Sequence, residues 1–94
     1  LSINPKLLLE DAERALHNAL DAAEETIAPM LEGRAYAEAL NELADLRDPV
    51  DRFFDDVMVM AEDEKLRNNR LNLLTAIGAL ILEVGDISKM HLLS

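Results

Sequence analysis

The feature that most constrains this chain is the spacing of its apolar residues. Leu8, Ala12, Ala15, Leu16, Ala19, Leu20, Ala23 and Ile27 recur mostly at three- and four-residue steps. That spacing puts them on one face of a long amphipathic helix. Tyr36, Ala39, Leu40, Leu43 and Leu46 repeat the pattern, as do Val50, Phe53, Phe54 and Val57. In the last third, Leu66, Leu73, Ile77, Leu80 and Val84 share one line at about 100° per residue, flanked by Leu74 and Ile81. Leu71 and Leu82 fall nearly opposite, so this helix reads as a central one with neighbours on two sides. Half of the 94 residues are apolar but only 3% are aromatic, so Ala and Leu must fill the core. Closely packed helices suit that composition. The expected fold is all-α, a bundle of four principal helices within a single domain spanning residues 1–94.

Punctuation residues set the expected boundaries. Asn4-Pro5 reads as a cap and first turn opening the first helix. Pro29 removes a helical hydrogen bond and is expected to kink, split or end that helix. Gly33 is the expected terminator. A second helix is expected from about Ala35 to Leu46. Asp48-Pro49 repeats the cap-then-proline signal for a third. Met58-Val59-Met60 is apolar throughout and is expected to be buried. Asp63 is the expected cap of the last helix, running from about Glu64 to Val84. Gly78 within it suggests a close helix crossing, and Gly85 its end. The tail from Asp86 to Ser94 has no assigned place. The carboxylates Glu10, Asp11, Glu13, Asp21, Glu24 and Glu25 read as a solvated face.

Catalysis is hard to build from these residues, and no catalytic residue is assigned. His17 and His91 belong to no metal-ligand pattern. There is no phosphate-binding glycine loop and no nucleophile elbow. No cysteine is present. No leader is expected, since Lys6 stands alone among basic residues near the start and the run Leu7 to Leu9 turns acidic at once. No apolar run is long enough to span a bilayer. The net charge of −10 repels phosphates. Within a Debye length of about 8 Å, however, a local basic patch can still act. Lys65, Arg67 and Arg70, interleaved with Asn68, Asn69 and Asn72, form such a cluster. Arg70 lies about 40° from the Leu66 line, toward the core. It reads as a structural ion-pair residue, with Asp51, Asp55 or Asp56 as candidate partners. Lys65, Arg67, Asn68 and Asn72 are the candidates for RNA contact, Lys and Arg through charge and Asn through its paired donor and acceptor. Tyr36 could stack on a base, or stand in the core with its hydroxyl at the edge.

Four segments also carry a family likeness. GRAYAEALNELADL, LRDPVDRFFDDVMVM, AEDEKLRNNRLNLL and VGDIS resemble the DALR-type anticodon-binding domain at the C-terminus of the bacterial glycyl-tRNA synthetase β subunit. The likeness covers about residues 33 to 88. It implies a noncatalytic, cytoplasmic domain that binds the anticodon region of a tRNA, not DNA and not a membrane. The same likeness implies the rest of the β subunit and the catalytic α subunit as partners. It assigns no cofactor to these residues, and leaves ATP and magnesium to the whole enzyme. Two alternatives stand beside it: the related domain of arginyl-tRNA synthetase, and a helical protein-interaction domain that docks subunits.

Overall fold

A computed structural model describes the backbone of residues 3–93 and the side chains of residues 3–87. A 3₁₀ turn, Pro5–Leu7, precedes four α-helices: α1 (Asp11–Glu32), α2 (Tyr36–Ala44), α3 (Arg47–Asp56) and α4 (Glu64–Leu93). The fold is all-α, as the periodicity predicts. Helix α1 packs against α2, α3 and α4, and α2 packs against α4. Leu16, Leu20 and Ile27 of α1 meet Ala39 of α2, Phe53 of α3, and Leu73, Ile77, Leu80 and Val84 of α4 in one buried cluster.

Helix α1 starts six residues later than Asn4-Pro5 predicts. Asn4 caps only the short turn, accepting from Lys6 N–H at 3.0 Å. Ahead of α1, the carbonyls of Leu8 and Leu9 accept from Arg14 Nη1, at 2.8 and 3.0 Å. Glu10 is the extended cap residue, and its N–H donates to Glu13 Oε1 at 3.1 Å. This is half of a capping box, which closes the first turn from the side-chain end. At the other end, Pro29 neither splits nor stops α1. It lies in the last turn on an exposed face, where its carbonyl still accepts from Gly33 N–H at 3.0 Å. The chain then leaves through a left-handed residue, and that residue is Arg34, with φ 61°, rather than Gly33. Arg34 N–H donates to Leu31 O and Ala35 N–H to Met30 O, the paired bonds of a Schellman stop.

Helix α3 begins at Arg47, so Asp48 and Pro49 lie within its first turn and Leu46 occupies the cap position. Pro is tolerated there because first-turn N–H groups have no helical acceptor. Asp63 caps α4 as expected, its Oδ1 accepting from Lys65 N–H at 2.8 Å and Leu66 N–H at 3.3 Å. Gly85 does not end α4, which continues through Leu93. The tail therefore starts as helix, while its side chains from residue 88 onward lie outside the described residues.

Several burial expectations are overturned. Met58 is 72% exposed and Met60 65%. The reason is local: Val57 is extended (φ −116°, ψ 129°), and burial alternates from Val57 inside to Met58 outside, Val59 half inside and Met60 outside. The helical period stops with α3 at Asp56, and Val59 and Met60 lie in a turn. Phe54 and Leu40 are exposed. Leu71 and Leu82 are also exposed, so the second face of α4 carries no neighbour among the described residues. Glu13, counted with the solvated acids, is fully buried.

Gly78 does not mark a close crossing: a Cβ placed there meets nothing within 4 Å. Glycine inside a helix costs about 1 kcal/mol relative to alanine. Gly78→Ala is therefore expected to raise stability by about 1 kcal/mol. A urea midpoint that moves upward at unchanged slope would show it, and an unchanged or lower midpoint would refute it.

Candidate nucleic-acid interface

The first three turns of α4 carry the basic cluster, and helix geometry divides it into two sets. Lys65, Asn68 and Asn72 stand at i, i+3 and i+7, within about 60° of one another around the axis. Lys65 and Asn68 are exposed and Asn72 is half-buried. Arg67, Asn69 and Arg70 turn elsewhere. Arg67 is half-buried, and its Nη1 donates to Ala61 O at 3.3 Å. Arg70 is buried; its Nη1 donates to Met58 O at 2.6 Å and its Nη2 to Glu13 Oε1 at 3.0 Å. Asp51, Asp55 and Asp56 are not its partners: all three are exposed on α3, and Asp56 lies 3.5 Å from Arg52 instead.

Asn69 and Glu13 are the residues that sequence reasoning missed, and both are structural. Asn69 is 4% exposed. Its Oδ1 accepts from Asn4 N–H at 2.7 Å and its Nδ2 donates to Asn4 O at 3.1 Å. That two-way amide pairing ties the start of the chain to α4. The Asn4-Pro5 signal read as a helix start and gave no hint of its distant partner. Glu13 Oε1 accepts at once from Glu10 N–H and Arg70 Nη2, while Glu13 Oε2 and Arg70 Nε are buried without a partner.

The consequence is a base for the interface rather than a larger one. Two of the three cations, Arg67 and Arg70, are engaged with the carbonyls of the α3–α4 connection. They hold that loop against α4. Lys65 is left as the exposed cation of the cluster, beside the amides of Asn68 and Asn72, which can both donate and accept. Tyr36 opens α2, half-buried, on a different helix from the rest of the candidates. Both Tyr36 and Asn72 already interact within the protein.

An open cavity of about 500 Å³ lies between α1 and α4. Ile27, Leu31, Ala76 and Leu80 line it together with the carboxylates Glu24 and Glu83. Its charge would oppose a phosphate. Among the described residues, no group of three or more His, Asp or Glu side chains could hold a metal ion. No described helix is long and apolar enough to cross a membrane.

Comparison with known proteins adds what geometry cannot. The family described as the DALR anticodon binding domain matches residues 1–90. The chain is 51% identical over 90 residues to the glycine–tRNA ligase beta subunit of Chromohalobacter salexigens, which covers 96% of this chain and 13% of that protein. It is 52% identical over 88 residues to the subunit of the same name from Photobacterium profundum, covering 94% and 13%. The corresponding figures for the Vibrio parahaemolyticus subunit are 51% over 89 residues, 95% and 13%. The chain thus spans about 13% of the length of these relatives. No solved structure matches it significantly.

Proposed function

We propose, for a chain that belongs to the DALR anticodon binding domain family, that it binds the anticodon region of a glycine tRNA. In this reading it serves the β subunit of a cytoplasmic glycine–tRNA ligase. The observation that carries the reading is a family match over residues 1–90, with half of those positions identical to glycine–tRNA ligase beta subunits. The reaction chemistry, with its ATP, magnesium and glycine, falls to the rest of the enzyme. The remainder of the β subunit and a catalytic α subunit are the protein partners. Recognition falls to Lys65, Asn68 and Asn72 on the outer face of α4, with Arg67 of α4 and Tyr36 of α2 as further contacts. Unpaired anticodon bases present edges that asparagine amides can match and faces on which a tyrosine can stack.

Charge sets the expected strength. With a net charge of −10, few phosphates can be neutralised. Binding to a single-stranded loop weakens with salt by a log–log slope of about −0.7 per phosphate contact. The slope should therefore be shallow, with discrimination coming from bases. The test is a titration with glycine tRNA, an anticodon-swapped copy and an arginine tRNA, each at two salt concentrations. Preference for the glycine anticodon is expected, weakened in Lys65→Ala and Asn68→Ala without a change in melting temperature. Equal binding to all three would sink anticodon recognition by this chain. A preference for arginine tRNA would move it to the arginyl relatives.

A further inference from the structure

Phe54, Met58 and Met60 stand within one short stretch where α3 gives way to α4, and they are 58%, 72% and 65% exposed. Single exposed apolar side chains need no explanation, but a cluster of large ones marks an interaction surface. This cluster is held in place. Arg70 anchors the Met58 carbonyl and Arg67 the Ala61 carbonyl, so α4 fixes the backbone on both sides of Met60. Val57 is buried beneath, and Val59 is packed against the core. The methionines cannot turn inward without displacing those valines.

The stretch that carries the patch is acidic. Asp51, Asp55, Asp56, Glu62, Asp63 and Glu64 are all exposed. Arg52 is the one cation from residue 51 to residue 64, and it already faces Asp56. We propose that this patch docks a cationic amphipathic segment of a partner protein. The partner's apolar side chains cover Phe54, Met58 and Met60, and its Lys or Arg residues meet the carboxylates of that stretch. Charge selects this occupant. A second copy would bring the same acidic stretch against its own. RNA could stack on Phe54, but its phosphates would then enter a stretch that carries six exposed carboxylates and one cation. The flexible, polarisable side chain of methionine moulds to varied apolar surfaces, which suits a docked helix. The patch and the outer face of α4 use different residues, so this assignment does not depend on the tRNA reading.

The probe is a short synthetic amphipathic peptide of leucine and lysine with one tryptophan. The chain itself has no tryptophan, so peptide fluorescence reports binding. A matched peptide with glutamate for lysine and a glycine-anticodon RNA stem-loop complete the set. On the wild-type chain, the lysine peptide is expected to shift the methyl NMR signals of Met58 and Met60 and to leave Met30 on α1 unmoved. Met58→Ser/Met60→Ser and Asp55→Asn/Glu62→Gln should each weaken it by about tenfold, or 1.4 kcal/mol, at unchanged melting temperature. Glu24→Gln/Glu25→Gln, which removes equal charge from α1, should not. The proposal is overturned if both peptides bind alike, if the α1 variant weakens binding as much as the patch variant, or if the RNA alone moves the two methionines. A dimer that dissociates on Met58→Ser/Met60→Ser would also overturn it, by giving the patch to a second copy.

Discussion

Glu13→Ala and Arg70→Ala are each expected to lower stability by about 3–5 kcal/mol, because each leaves a buried charge without its partner. Glu13 has no exposed surface, and Arg70 is 6% exposed. For a domain of this size that loss lowers the melting temperature by about 12 °C or more, at roughly 4–8 °C per kcal/mol. Lys65→Ala, five residues earlier on the exposed face, should change stability by no more than about 0.5 kcal/mol. The double variant Glu13→Leu/Arg70→Met separates the pair from its parts. Replacing a buried pair by apolar side chains is often close to neutral. One carboxylate oxygen and one guanidinium nitrogen are already unpartnered here, so the pair itself is imperfect. The double variant should therefore lose much less than the sum of the two single ones. Melting temperatures of all four proteins check this, and a single variant melting with the wild type would refute it. The pair also has a positional role. It joins the capped start of α1 to α4, and through the Met58 carbonyl it fixes the connection from which α4 departs. Arg70→Ala should loosen that loop even where the helices persist.

The helical stripes were legible because they obey one period over many residues. Leu16, Leu20 and Ile27 in α1, and Leu73, Ile77, Leu80 and Val84 in α4, are the buried residues that the spacing marked. The errors fall where the period stops or where a residue acts at long range. Met58 and Met60 lie beyond the end of α3, in the connection to α4, and an apolar run read as buried on every side turned out to face inward only at its valines. Glu13 looked like any acid on a solvated helix; nothing near it in the chain announces Arg70, 57 residues away. Arg70 betrayed its burial through its angle to Leu66, but angle alone could not choose among many acids. Asn4 caps a short 3₁₀ turn rather than the first long helix, and it has a distant role with Asn69. The cluster on α4 was legible as composition. Its division was legible for Arg70 from its angle, whereas the place of Arg67 depended on the Ala61 carbonyl that it reaches.

Phe53 and Phe54 extend the same reasoning to a prediction. They are consecutive, so helix geometry turns them about 100° apart. Phe53 is fully buried, whereas Phe54 is 58% exposed and meets Phe53 edge-on at a centroid distance of 5.8 Å. Phe53→Ala removes a whole ring from the junction of α1 and α3 and is expected to cost about 3–5 kcal/mol. Phe54→Ala forfeits mainly the edge contact, about 0.5–1.5 kcal/mol. Denaturant midpoints at equal slope will measure the difference. A loss of stability in Phe54→Ala as large as in Phe53→Ala would mean that Phe54 is buried, and the acidic, methionine-bearing patch would then lose its aromatic member. Near-equality of Phe54→Ala with the wild type would show that the fold does not depend on this ring, leaving its exposed area available to a partner.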